Sequence, residues 1–240
     1  MNFTFGIITN NNITNLSKII NSIEMQNIPN YEIIIVGCNT HLNKKNCICI
    51  PFDESIYPGW ITRKKNIITK YAKYENIVYM HDYIELDEKW YCGFLNYGNT
   101  FDVLINPIQN LDGSRFRDWI LNINFLCGKE LLNGQRTRPV INAPDEWIQI
   151  NENVVNKYNI DMNNKTHYLS YDDDGKHWQK YIYISGSYFV VKKYVIEEFP
   201  LNENLLHGQG EDVDWIQSLH KKYVISFNNK SISKLLKQKI

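Results

Sequence analysis

The sequence predicts an α/β fold around a mostly parallel central sheet, and three observations carry that prediction. Strand and helix signals alternate through residues 1–107. One strand signal, Glu32-Ile33-Ile34-Ile35-Val36, is a nearly continuous β-branched run, as a parallel strand buried on both faces requires. An apolar run, Ile77-Val78-Tyr79-Met80, ends on His81-Asp82, which puts a carboxylate at a strand end, where open α/β sheets bind their ligands.

Phe3 to Thr9 reads as the first strand and Asn10-Asn11-Asn12 as the turn after it; Leu16, Ile19, Ile20 and Ile23 then repeat at helical spacing. Tyr31 to Val36 is the second strand and Ile48 to Phe52 a shorter third. Trp60 to Tyr74 is the next helix, with Ile67, Ile68 and Tyr71 as its apolar face, and it leads into the Ile77 to Met80 strand. This order places a ligand crevice near Thr9, Gly37-Cys38-Asn39 and His81-Asp82. Asp102 to Asn106 is a further strand. From about 108 to 180 periodicity is poor, and a stretch of that length reads as an insert covering an acceptor. Tyr181 to Ile184 and Tyr188 to Val191 flank Ser185-Gly186-Ser187. A helix opened by Glu211-Asp212 carries Val213, Ile216 and Leu219, and Tyr223 to Phe227 closes the sheet. No repeat or Pro/Gly/Ser linker divides the chain, so a single domain over 1–240 is expected, with halves at 1–107 and 108–240.

Composition narrows the function. The 240 residues are 43% hydrophobic and 22% charged, with 26 basic and 26 acidic side chains, so nothing pulls the chain toward nucleic acid. No stretch approaches the roughly 20 apolar residues of a membrane span. Without a basic and apolar leader the expectation is a cytoplasmic protein. The five cysteines, at 38, 47, 49, 92 and 127, contain no C-x-x-C pair and read as reduced thiols. Ser170 to Gly175 hints at a calcium loop, but Ser stands at the first ligand position and Tyr181 where the bidentate Glu belongs, so a solvated acidic loop is the better reading. Lys230 to Ile240 alternates apolar residues with lysines. That suits a terminal helix docked on its own domain, or a basic amphipathic helix in weak contact with a membrane surface.

Two carboxylate clusters carry the chemistry. Asp82 sits at a strand end; Glu211 and Asp212 sit where a helix begins, an environment that tolerates negative charge. Adjacent helical residues do not share a face, so one of the pair should look into the crevice while the other caps or pairs outside it.

The succession of a Thr-ending first strand, Tyr31 to Gly37, the helix with Arg63-Lys64-Lys65-Asn66, the strand end His81-Asp82-Tyr83 and the late Gly210-Glu211-Asp212 resembles GT-A glycosyltransferases of the family 2 type. The resemblance covers most of the chain outside 108–180. It implies a single GT-A domain, with a nucleotide-sugar half at 1–107 and an acceptor half at 108–240, that transfers a sugar from a UDP- or GDP-sugar to a glycan or other hydroxyl acceptor with inversion. It places Thr9 and Asn39 near the base or ribose, and Arg63, Lys65, Asn66, His81 and Tyr83 around the donor. Asp82 takes the D-x-D position with a divalent metal, Mn²⁺ or Mg²⁺. Asp212 becomes the general base with Glu211 beside it. His207 is a further candidate metal ligand. Trp178, Gly186 and Ser187 fall on the acceptor side, and Trp119, Trp147 and Tyr188 are further aromatics for sugar stacking. The sequence departs from the family where Cys38-Asn39 replaces an Asp and where the D-x-D reads His81-Asp82-Tyr83. Two rival readings follow: a glycosyltransferase-like binding module without turnover, and a nucleotidyltransferase, which lacks support from any Gly-rich phosphate loop.

Overall fold

The structure, a computed structural model, describes residues 1–40, 42, 44–122, 129–132, 135–139, 159 and 166–239. Two compact units result, Met1–Asp118 with Ile184–Ile240, and Trp119–Tyr183. The first unit contains β1 (Phe3–Ile8), β2 (Tyr31–Val36), β3 (Cys47–Ile50), β4 (Asn76–His81), β5 (Ile84–Leu86), β6 (Val103–Ile105) and β7 (Ile108–Gln109). The second holds β8 (Ile120–Asn122), β9 (Lys129–Leu132), β10 (Gln135–Pro139), β11 (Thr166–Tyr168) and β12 (Ile182–Tyr183). The chain then returns to the first unit with β13 (Tyr188–Lys192), β14 (Ile225–Phe227) and β15 (Ser233–Leu235).

Among the described residues seven strands make one sheet in the order β14-β6-β13-β4-β1-β2-β3. Every neighbouring pair is parallel except those of β13, which runs antiparallel to both β4 and β6. All of β1, the Ile33–Val36 run of β2 and the Asn76–Met80 run of β4 are buried. Each Ile or Val so placed contributes about 1.5–3 kcal/mol of hydrophobic stabilisation.

Helix α1 (Ile13–Glu24) starts at Asn12, whose side chain accepts the Asn15 N–H at 3.2 Å, and it buries Leu16, Ile19, Ile20 and Ile23, the four residues its periodicity singles out. Helix α2 (Ile61–Tyr71) turns a different face inward from the expected one. Tyr71 is 53% exposed and Ile67 only half-buried, whereas Ile61, Thr62, Lys64, Lys65, Ile68 and Thr69 are buried. The inward stripe keeps helical spacing but is polar at its centre, so an apolar pattern cannot reveal it. Three further helices, α3 (Trp90–Tyr97), α4 (Lys193–Glu198) and α5 (Glu211–Leu219), complete the unit, the last burying Trp215, Ile216 and Leu219.

The basic tail is not a helix. Ser233–Leu235 is the middle strand of a second sheet, β5-β15-β7, with Ser233 and Leu235 buried and Lys234 turned out to Asp87 at 2.6 Å. The period is two rather than 3.6, and Leu235 is spent on the protein's own core, so the docked strand replaces both the docked helix and the membrane-surface helix. No helix among the described residues is long and apolar enough to cross a membrane.

In the second unit β8 pairs with β11 and β12, and β9 with β10. The acidic loop at 170–175 is partly structural, because Asp173 accepts Trp119 Nε1 on its carbonyl at 2.9 Å and Trp178 Nε1 on its carboxylate at 3.1 Å. Trp147 and Cys127 lie outside the described residues, with much of the expected insert; Cys38, Cys47, Cys49 and Cys92 are free thiols.

Gly37 ends β2 with φ +97°, and a Cβ there would strike the Thr9 carbonyl oxygen. Gly37→Ala combines left-handed strain with a backbone clash and is expected to lower the unfolding free energy by about 2–4 kcal/mol in a denaturant titration.

Candidate active site

Strand register gathers the site. Ile8 of β1 lies opposite Val36 of β2 and His81 of β4, so Thr9, Gly37 and Asp82 leave the sheet side by side at its carboxyl rim. Thr9 Oγ1 donates to Asp82 Oδ2 at 2.7 Å, and Asp82 N–H to the Ile8 carbonyl at 3.1 Å. Because β13 is antiparallel, with Tyr188 opposite Met80, its entry turn Ser185-Gly186-Ser187 arrives at the same rim; the Ser187 carbonyl accepts His81 N–H at 3.0 Å. Ser187 Oγ also shares a 3.1 Å hydrogen bond with the Tyr83 hydroxyl.

The two buried lysines of α2 close the rim from above. Lys64 Nζ donates to the Thr9 carbonyl and to Asn10 Oδ1, both at 2.7 Å, and pairs with Glu54. Lys65 Nζ donates to the Gly186 carbonyl at 2.6 Å and lies 5.2 Å from the centre of the Phe189 ring. Burial pushes the Lys65 ammonium down to about 8, against the opposing pull of Asp212 and then Glu211.

A cavity of about 330 Å³ opens here, lined by Thr9, Asn10, Lys64, His81, Asp82 and His207 among others. His207 is placed by its N–H to the Gly59 carbonyl at 3.1 Å, in a segment fastened to α2 by Trp60 Nε1 on the Glu203 carbonyl and Thr62 Oγ1 on the Leu205 carbonyl. His81 Nε2 is buried with no partner among the described residues. Burial, with the charges of Lys65, Lys239, His207 and Lys237, holds this imidazole well below its ordinary range. The residue is nonetheless part of the cavity lining.

At the start of α5 the two acids divide their tasks. Glu211, 6% exposed, accepts the Gly208 N–H at 3.1 Å, while Asp212 Oδ2 accepts the Gly186 N–H at 3.2 Å. One residue, Gly186, thus receives Lys65 on its carbonyl and offers its N–H to Asp212. A Cβ at Gly186 would meet both, at 3.3 Å from Lys65 Nζ and 3.4 Å from Asp212 Cβ.

The structure therefore brings Thr9, Lys65, His81, Asp82, Tyr83, Gly186, Ser187, His207, Glu211 and Asp212 into one neighbourhood. Arg63 and Asn66 are elsewhere. Arg63 pairs with Glu203 at 2.7 Å, Asn66 brackets the Leu201 backbone, and both line a separate cavity of about 670 Å³. Residues 63 and 66 share a helix face that the inward pair 64 and 65 does not. Asn39 is exposed, and its N–H donates to Asn11 Oδ1. The aromatics expected to stack on sugar are packed instead: Tyr188 is wholly buried with its hydroxyl between Asn106 and Trp90, and Trp119 and Trp178 are buried within the second unit. Lys64, Asn10 and Glu54 escaped the sequence reading. The available signal was the spacing Ile61, Lys64/Lys65, Ile68, which sets the lysines on the stripe of two buried isoleucines.

No three His, Cys, Asp or Glu side chains among the described residues form a metal-binding group. Asp82 and His207 line the same cavity.

No family model matches the chain, and no curated protein matches it. Solved structures do. Staphylococcus aureus TarS 1-349 superposes with a TM-score of 0.55 at 14% identity, over 98% of this chain and 60% of that one. Its complex with UDP gives 0.55 at 15%, over 98% and 61%, and its complex with UDP-GlcNAc 0.55 at 15%, over 98% and 58%. The chain spans about three fifths of these molecules. The likeness is one of fold, a mixed α/β, GT-A-like fold with a mostly parallel central sheet.

The buried Lys65 yields a pH prediction. Its folded pKa of about 8 lies below the unfolded value near 10.4, so its contribution is fully present above the unfolded value and is lost as pH falls through about 8. Relative to Lys65→Met, the wild type should therefore gain about 2 kcal/mol between pH 8 and 10 in paired urea titrations, and parallel curves would remove the buried-ammonium assignment.

Proposed function

We propose that this chain is a glycosyltransferase that moves a sugar from a nucleoside-diphosphate sugar to a hydroxyl acceptor with inversion. The observation that carries this reading is the meeting of two carboxylates at one sheet rim: Asp82 fixed by Thr9 beside a cavity, and Asp212 fixed by the Gly186 N–H one turn of chain away from the residues that hold His81 and Tyr83. A donor with its diphosphate near Lys64 and Asp82 and its sugar toward Gly186 sets the anomeric carbon between leaving group and base. The fold's likeness to TarS complexes with UDP and UDP-GlcNAc makes UDP-sugars the first donors to test.

In this scheme Asp212 takes the proton of the attacking hydroxyl, its carboxylate aimed by the Gly186 N–H. General-base assistance of this kind is worth roughly 10²–10⁴-fold. Lys64, held by Glu54, Asn10 and the Thr9 carbonyl, lines the cavity in which the diphosphate would sit. A divalent ion held by Asp82 and His207 would neutralise diphosphate charge when bound. The competing reading is a sugar-nucleotide-binding module without turnover, which the His81-Asp82-Tyr83 reading of the D-x-D position motivates.

Two substitutions separate the possibilities. Asp212→Asn should lower kcat and kcat/KM together by about 10²–10⁴ while leaving the calorimetric Kd for the donor unchanged. Asp82→Asn should weaken donor binding with the circular dichroism unaltered. Near-native turnover of Asp212→Asn would remove the base assignment, and donor binding without turnover in the wild type would support the binding module. Full activity in EDTA would assign charge neutralisation to side chains alone.

A further inference from the structure

The tail that follows β15 brings two lysines to a single aromatic ring. Lys239 Nζ lies 3.9 Å from the centre of the Tyr83 ring and donates to its hydroxyl at 2.6 Å, and Lys237 Nζ lies 4.2 Å from the same ring centre. Backbone bonds hold this arrangement: Leu236 N–H to the Tyr83 carbonyl at 2.8 Å, and Lys239 N–H to Asn110 Oδ1 at 2.9 Å. A third cation is close, since Lys239 Nζ and the Arg117 guanidinium lie 5.3 and 5.8 Å from the Phe116 ring.

Ring faces attract cations but do not neutralise them, and two ammonium groups on one ring repel each other. Among the described residues neither Lys237 nor Lys239 pairs with a carboxylate. Other lysines of this unit do, as in Lys44–Glu24, Lys192–Glu75, Lys222–Glu198 and, within the same tail, Lys234–Asp87. The unpaired charge is also next to the cavity. Tyr83 follows Asp82, and its ring centre is 5.2 Å from that of His81, which lines the cavity wall.

We propose that Lys237 and Lys239 form a cationic clamp for a diphosphate group, closing over Tyr83 onto the charge that the donor presents beside Asp82; this rests on the reading of the rim as a nucleotide-sugar site. A diphosphate suits the clamp better than a single carboxylate because its oxygens on two phosphorus atoms reach two ammonium groups at once. The bonds that Leu236 and Lys239 make to Tyr83 and Asn110 pre-position the cations, which limits the ordering cost of binding.

The probes are UDP, uridine and inorganic pyrophosphate, measured by calorimetry against the wild type and Lys237→Gln/Lys239→Gln. The double variant should bind UDP about tenfold or more weakly and lose pyrophosphate binding, leave any uridine binding unchanged, and show a flatter dependence of UDP affinity on salt. Lys237→Arg/Lys239→Arg should restore most of the affinity. Lys237→Gln alone, at an exposed side chain, should weaken UDP about threefold, and it serves if the double variant does not fold. UDP binding by the Gln variants equal to wild type overturns the clamp and leaves the donor reading intact. Pyrophosphate binding that is lost in the Gln variants, from a wild type that binds no nucleotide, supports the clamp and overturns the donor reading; a wild type that binds none of the probes overturns both.

Discussion

The whole rim depends on two ammonium groups that α2 drives into the edge of the sheet. Burying a lysine is unfavourable unless its protons find acceptors, and here they find backbone: Lys64 the Thr9 carbonyl, Lys65 the Gly186 carbonyl. Those bonds tie the helix at once to the end of β1 and to the entry of β13. The two chain segments that would carry donor and acceptor chemistry are thus located by one turn of helix. The polar centre of the α2 inward face, costly in a purely structural helix, has its explanation in this fastening.

Charge around the rim is graded rather than uniform. Glu54 compensates Lys64, Asp212 and Glu211 lie near Lys65, and Thr9 fixes one oxygen of Asp82. Burial keeps His81 neutral between them. Lys237 and Lys239 add cations on the Tyr83 side, and Glu211 and Asp212 add acids on the α5 side.

The segment before α5 matters for the same reason. Trp60, Thr62, Arg63 and Asn66 all hold residues 201–205, so the first turns of α2 and the residue before it fix the path by which His207, Glu211 and Asp212 reach the site. Arg63 and Asn66 support the site by positioning this path rather than by touching the cavity. Tyr188 likewise serves from below, its hydroxyl joining Asn106 and Trp90 inside the core under the rim.

The sequence by itself determined the parallel α/β frame, because the buried strands need unbroken β-branched runs and α1 needs apolar residues at helical spacing; Phe3–Ile8, Tyr31–Val36 and the four inward residues of α1 were all legible. It also placed Asp82 and Thr9 at strand ends, since strand ends can be read from where apolar runs stop. Only the tertiary structure decided which face of α2 is buried, because lysines that bury themselves on backbone carbonyls leave no apolar pattern. Only the tertiary structure gave the tail its place, because three residues such as Ser233–Leu235 fit a strand or a helix equally well until β5 and β7 offer hydrogen bonds on both sides. The juxtaposition of Gly186 with Lys65 and Asp212, 121 and 26 residues away along the chain, is a matter of strand direction and sheet order, which local sequence does not encode.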